Sequence, residues 1–449
     1  MESDLIREPV ERLFLKYLMP SLGGALVTSV YSIVDTIAVG QSCGPLGAAA
    51  MSVINPLFAI ECFLGMLLGV GTAIQISTSR GQGREDRANA VFTCSLILLI
   101  AVSAASWLIV NPGLERMMVL FGADDELLPY TIEYAQCLAL CFPVFIATVY
   151  LPSVLRADED PSLVMKAITI GGIVNIFGDW FFVFPLGMGM RGAGLATALG
   201  TAVQLAVLLI HFAPGRSRLR IIRPDSFIRG MRRIIQTGFG SSIFDVAIGA
   251  ITVLVNKQAM RYSGSSALAV LGVIMTISFL LQHFYTGIGQ AIQPIASTSF
   301  GAGRNERVRR CFILLVLFSL AFGIISTVLC FIFPNQIIRL FIDADSAVLE
   351  IGPGIIRAYS LSFLTLALNL NLVFFFQSIL KNREAMAFSL ERGLVLSGTL
   401  LIVLPPLIGF DGILVAVILS EIITTLSALP FSRIVMRSLD PEHAKVHQN

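Results

Sequence analysis

Apolar residues along this chain run in long unbroken blocks instead of alternating with polar ones. Twelve blocks are long enough to cross about 30 Å of hydrocarbon as helices of roughly 20 residues. They cover 13–39, 46–76, 88–110, 134–154, 163–184, 192–212, 234–256, 267–297, 311–333, 358–380, 385–407 and 412–431. A membrane barrel would alternate apolar with polar positions, and hydrocarbon offers no partner to an unpaired backbone group. The pattern therefore predicts an all-α polytopic membrane protein with twelve transmembrane helices, called spans 1 to 12 below.

Composition agrees with this reading. Of 449 residues 55% are hydrophobic and 13% charged, the mean hydropathy is +0.83, and a soluble protein has about a quarter of its residues charged. Little chain is left for a soluble domain. Nucleic-acid binding is excluded as a partner, because the net charge is only +2 and the arginine-rich stretches lie between spans, where orientation explains them. On alternate sides of the predicted membrane, Lys and Arg number 24 against 6, with Arg392 inside a span. The positive-inside rule then puts both termini in the cytoplasm of a cell that carries the protein in its inner or plasma membrane. Six of the seven cysteines fall inside spans and Cys43 falls in a predicted loop, so core packing and no disulfide framework are expected, with Cys137 and Cys141 buried. The mixed charges of residues 1–16 do not read as a cleaved signal peptide.

Self-comparison finds a repeat. "AIQISTSRGQGREDR" (73–87) returns as "AIQPIASTSFGAGRNER" (291–307), and elsewhere the offset is 220 residues, as in Gly192 and Ala196 against Gly412 and Ala416. Six spans are followed by six more in the same orientation, which makes these parallel repeats. The expected domains are an N-terminal lobe (1–213), a basic linker (214–233) and a C-terminal lobe (234–449).

No Gly-Lys dipeptide occurs, so a phosphate-binding loop for ATP is missing; zinc-protease, nucleophile-elbow and Cys-x-x-Cys patterns are missing too. No cofactor is expected, and an ion gradient is the remaining energy source. "GAGLATALG" (192–200) opens a span, where close helix packing explains its glycines. The chemistry must lie in ionisable groups inside the spans: Asp35, Glu61, Asp179, Asp245, Glu391 with Arg392, and Glu421. Each costs about 2.5–3.5 kcal/mol on insertion scales, so each needs a partner or a purpose. Glu391 and Arg392 are expected to neutralise each other or neighbours.

Asp35 shares a helical stripe with Thr28 and Tyr31, and Asp179 follows Asn175 by one turn. Thr197, Thr201 and Gln204 line one face of span 6. These stripes can face one cavity, where burial disfavours the charged carboxylate and lets it bind and release H⁺. With hydroxyl and amide oxygens beside them, Asp35, Asn175, Asp179 and Thr197 are alternatively a candidate Na⁺ site. No other metal site is expected, and simple helix–helix adhesion is the bland alternative. In the second half, Asp245 and Asn256 share a stripe with Gly249 and Thr252, and Gln282 and Gln293 share one with Thr286 and Gly289, a candidate substrate path on the other lobe. Phe374, Phe375 and Phe376 are either an apolar ligand wall or a lipid contact. His283 reads as a helix-contact histidine.

"SIVDTIAVG" (32–40), "GVGTAIQ", "GIGQAIQPIASTSFGAG", "NIFGDWFFV" (175–183) and "GAGLATALG" resemble the multidrug and toxic compound extrusion (MATE) antiporters along the whole chain. The resemblance implies two six-helix lobes in a V, with no enzymatic activity, that exchange a small lipophilic, often cationic, organic compound for H⁺ or Na⁺ within membrane lipid. The family's helix-one aspartate falls on Asp35, its Asn-x-x-x-Asp on Asn175 and Asp179, and its helix-six threonine on Thr197. Span 10 lacks the carboxylate that some members carry there. The alternatives are a flippase for lipid-linked oligosaccharides, which should present Arg and Lys to a pyrophosphate, or an intramembrane enzyme or receptor.

Overall fold

The computed structural model describes residues 4–341 and 346–438, except for the side chains of residues 4, 341, 346–348 and 438 and of several between 244 and 269, Asp245 and Asn256 among them. Every described element is a helix. The chain folds into two compact units, one built from Leu15–Ser242 and the other from Ile243 onward together with Pro9–Phe14.

Spans 1 and 2 are one helical stretch, Val10–Gly81, broken at Gly44, whose φ of 63° and ψ of −153° lie outside the helical region. The predicted loop shrinks to that residue because glycine alone takes such a conformation without strain. The chain reverses there. Asp35 touches Tyr134 and Gly69 abuts Tyr150, two positions about 24 Å apart along the helix Leu128–Ala157, whereas a straight helix from Asp35 to Gly69 would run about 51 Å. Cys43 thus lies in a bend and not in an open loop, and Cys141 is half-buried where full burial was expected.

The helix Gly189–Leu209 is clamped between Leu128–Ala157 and Pro161–Gly178. Its small residues make this possible: a side chain at Gly194 would strike the carbonyl of Tyr134 at 2.8 Å, and one at Gly200 would strike Asn175 Cβ at 2.8 Å. Asp160 caps the start of Pro161–Gly178 by accepting from the Leu163 amide at 3.1 Å. At its far end that helix widens into a π-helical turn, Asp179–Val183.

In the second unit, Asn305–Ile332 packs on Phe363–Ser378 and Ser397–Ile408 on Asp411–Ser438. Span 10 begins earlier than its apolar pattern suggests, as Ser346–Ser360 and Phe363–Ser378 meeting at a turn. Thr327 donates to the carbonyl of Ser360 at 2.9 Å, which satisfies backbone that the turn frees inside the membrane. Ten stretches of the described residues are long and apolar enough to cross a membrane, the 72-residue Val10–Gly81 counting once for spans 1 and 2.

Candidate functional site

Four helices of the first unit bring polar side chains to one point. Tyr134 Oη donates to Asp35 Oδ2 at 2.9 Å and lies 3.1 Å from Thr197 Oγ1, which accepts from Asn175 Nδ2 at 3.1 Å. A phenol has one proton to give, so with Tyr134 donating to Asp35 the Thr197 hydroxyl donates to Tyr134. The bonds then run in one direction, from Asn175 through Thr197 and Tyr134 to the carboxyl of Asp35. Proton arrival at Asp35 removes an acceptor at the end of this chain.

Asp179, one turn beyond Asn175, is fully buried. Neither of its carboxyl oxygens has a hydrogen-bond partner, and the same holds for Asp35 Oδ1 and Asn175 Oδ1. Asp179 and Asp35 are near enough to interact electrostatically. The π turn that starts at Asp179 shifts the backbone register there, a distortion that favours functional positions. Four unpartnered acceptor oxygens, three of them on carboxylates, form a hard-oxygen site suited to a proton or a small monovalent cation. No group of three or more His, Cys, Asp or Glu side chains able to hold a metal occurs among the described residues.

The remaining expected residues lie outside this cluster. Tyr31 packs over Gly172 and senses the charge of Asp35. Thr201 turns back to the carbonyl of Thr197 at 2.8 Å, and Gln204 fills the contact at Gly171. In the second unit Gln282 donates weakly to Ser278 at 3.4 Å, and Gln293 is buried with its amide nitrogen unpartnered. Asp245 and Asn256 lie outside the described residues, as do Gly249 and Thr252. Phe374, Phe375 and Phe376 are buried in the core and line neither lipid nor an open wall. His283 bonds the carbonyl of Phe279 at 2.9 Å, as a helix-contact histidine does.

Arg392 takes a neighbour on another helix as its partner, one of the two outcomes expected for it. Its Nε donates to Glu421 Oε1 at 2.7 Å, while Asn369 Nδ2 donates to Glu421 Oε2 at 2.7 Å and Thr425 to Asn369 Oδ1 at 2.8 Å. Glu391 accepts from Ser427 at 3.1 Å. The reason is direction: neighbouring residues on a helix point about 100° apart, so a partner on the adjoining helix wins.

Sequence reasoning also missed Tyr134 and a second buried cluster at the arginine-rich end of the first unit. There Arg80 meets Asp158 at 2.7 Å, His211 Nε2 donates to the same carboxyl at 2.7 Å and Ser217 at 2.6 Å. His211 Nδ1 lies 3.1 Å from Asp160. Burial pushes the Asp158 carboxyl up, but the His211 bond, the Arg80 charge and the Ser217 hydroxyl outweigh it and hold it below the ordinary carboxylate value. The backbone that follows is tied by Asn89 and Thr93, which accept from Arg220 and Ile222 amides.

The sequence profile of the MatE family matches the chain twice, over residues 20–181 and 241–402, the second match starting 221 residues after the first. The multidrug export protein MepA of Staphylococcus aureus (strain MRSA252) is 22% identical over 429 residues, covering 94% of this chain and 93% of that one. The MepA protein of Staphylococcus haemolyticus is 22% identical over 419 residues, with 92% and 91% covered. Among solved structures, an outward-facing multidrug resistance MATE family transporter superposes with a TM-score of 0.91 at 20% identity, covering 98% of both chains. A MOP superfamily transporter from Pyrococcus furiosus, described as having a binding pocket of reversed polarity, superposes at 0.88 with 21% identity over 97% of this chain and 98% of its own.

Proposed function

The chain belongs to the MatE family of membrane transporters, which are not enzymes, and from that membership we propose that it exports small lipophilic or cationic organic compounds in exchange for H⁺ or Na⁺. The observation that carries this reading is the buried cluster of Asp35, Asn175, Asp179 and Thr197 with its four unpartnered oxygens. Two carboxylates in one site disfavour double ionisation, so proton or cation binding at one changes the other. Each charge moved through 100 mV supplies about 2.3 kcal/mol, roughly a fiftyfold concentration ratio.

Six-helix lobes, 1–213 and 234–449, joined by the basic linker 214–233, exchange access between the two sides of the membrane by rocking. Both termini face the cytoplasm of the cell that carries the protein, and neither ATP nor a cofactor takes part. The names of the MepA relatives support organic substrates. The flippase alternative loses its support at Arg392, the one arginine inside the predicted spans, because that guanidinium is engaged by Glu421 and is not offered to a pyrophosphate.

The test is transport in proteoliposomes with proton and sodium gradients imposed separately. Asp35→Asn and Asp179→Asn keep the shape and remove the titratable charge. Both variants should reach the membrane at normal abundance and lose gradient-driven efflux, whereas Glu391→Gln should retain most of it. Efflux at wild-type rates in both aspartate variants, under the gradient that drives the wild type, removes the coupling site from this cluster.

A further inference from the structure

A third carboxylate of the first unit belongs to no cluster described so far. Phe58, Glu61, Gly65, Gly69 and Thr72 lie three or four residues apart and so form one stripe of a helix. This stripe runs against Leu128–Ala157. The Phe58 ring stands edge-on to Tyr134 and Phe145, with centroids 6.4 and 6.2 Å apart. A side chain at Gly69 would strike the Tyr150 carbonyl at 2.7 Å, and one at Gly65 the side chain of Val149 at 2.5 Å. The two backbones are therefore in close contact immediately beyond Glu61.

Glu61 sits in that seam, 2% exposed, with Oε1 unpartnered. Among the described residues no hydrogen bond or ion pair reaches it. Cys141, across the seam, interacts with it electrostatically. The other titratable groups on the packed faces are Tyr134 beside Phe58, Tyr150 beside Gly69 with its hydroxyl 2.6 Å from Ser95, Cys62 on its own helix, and Tyr31, which senses Cys62; no Lys or Arg is among them. An ionised carboxylate in such a place is far too costly to persist, so the group is held neutral. Both helices also carry a proline near this level, Pro56 and Pro143, and each proline removes a backbone bond and leaves a point of easy bending. Asn111 donates to the carbonyl of Ala139, freed by Pro143, at 2.9 Å.

We propose that Glu61 is a proton-binding site of its own, gated by the seam between span 2 and span 4. Closed, the seam holds the carboxyl dry and protonated; parted, it admits water, and the proton leaves to that water. Measured along span 4 from Tyr134 to Cys141, the site lies about 10 Å from the Asp35 cluster, on the side toward Arg156, and shares no hydrogen bond with it. The inference rests on the reading of this chain as an ion-driven transporter and adds a site to it.

Cys141 is half-buried and provides a native reporter. With the other six cysteines replaced by serine, its rate of modification by N-ethylmaleimide is followed against pH in protein carrying Glu61 or Glu61→Gln. The Gln variant shows only the thiol's own pH dependence. The Glu61 protein should gain on it by up to about tenfold per pH step as pH rises, the limit for one linked proton. A pH indicator should also record one proton fewer released by Glu61→Gln than by wild type in an alkaline jump. Matching labelling profiles and matching proton counts overturn the proposal. If Glu61→Gln does not fold, the Asp35→Asn, Asp179→Asn double variant is examined by infrared spectroscopy. A protonated carboxylic-acid C=O band that persists at neutral pH and fades at high pH is expected there, and its absence overturns the proposal. Unchanged labelling alongside lost efflux in the aspartate variants sinks this site alone; the opposite pair of results sinks the Asp35 cluster alone.

Discussion

Replacing Gly200 by alanine tests how tightly the Asp35 cluster is held. The added methyl would lie 2.8 Å from both Asn175 Cβ and the Gly171 carbonyl and 3.2 Å from the Asn175 amide nitrogen, where ordinary contact begins at 3.4 Å. Two of these three atoms are backbone, so no rotamer change relieves the clash and the helix Pro161–Gly178 must retreat by about 0.6 Å. Overpacking of this kind costs about 1–3 kcal/mol. The retreat also stretches the Asn175–Thr197 bond from 3.1 Å beyond hydrogen-bond length, at a further ~0.5–1.5 kcal/mol. Alanine regains ~0.5–1 kcal/mol over glycine as a helix former, too little to offset these losses. The net expectation is a destabilisation of about 1–3 kcal/mol, seen as a lower thermal midpoint in detergent, with gradient-driven efflux falling in the same protein. Gly398→Ala is the control: nothing lies within 4 Å of the new methyl, so only the gain in helix propensity remains and the midpoint should hold or rise. A Gly200→Ala protein as stable and as active as wild type would refute the argument that this seam has no slack.

Arg392→Met leaves Glu421 buried without its cation and should cost about 3–5 kcal/mol, whereas adding Glu421→Leu should restore much of that, measured as detergent unfolding midpoints of the single and double variants. Asp158 is held below its ordinary value of about 3.9 by His211, Arg80 and Ser217. A lowered carboxylate adds stability above that ordinary value and loses it as pH falls through the lower native one. Tryptic cleavage after Arg218 should therefore accelerate below pH 4 relative to a reporter peptide, and Asp158→Asn should make the linker easily cut already at neutral pH.

The twelve blocks and the residues of the Asp35 cluster were legible because both follow from one-dimensional rules, block length in one case and helical spacing of 3, 4 and 7 in the other. Asp35, Asn175 and Thr197 do share hydrogen-bonded neighbours. Tyr134, which links them, was not legible. A tyrosine at the mouth of an apolar block reads as an interfacial aromatic, and its partner Asp35 lies 99 residues away. The partner of Arg392 was legible only as some neighbour, because the acceptor it meets is 29 residues downstream. The Asp158 cluster draws on the ends of three helices and on the linker, so only folding assembles it. The absence of a loop at Gly44 was hidden because nothing in an apolar run announces that one glycine will carry a full reversal.

That reversal bears on how the protein is made and handled. A helix pair joined by a single non-helical residue, Gly44, presents no hydrophilic segment at which the chain can pause, so spans 1 and 2 must enter the bilayer together as one hairpin. It also offers a protease no extended strand to grip and an engineer no place for an epitope. An inserted tag there would have to be buried or would pry the hairpin open, whereas the turn around Gly122 and the stretch before Gly189, where the backbone already leaves the helix, can carry one without disturbing the packed helices on either side.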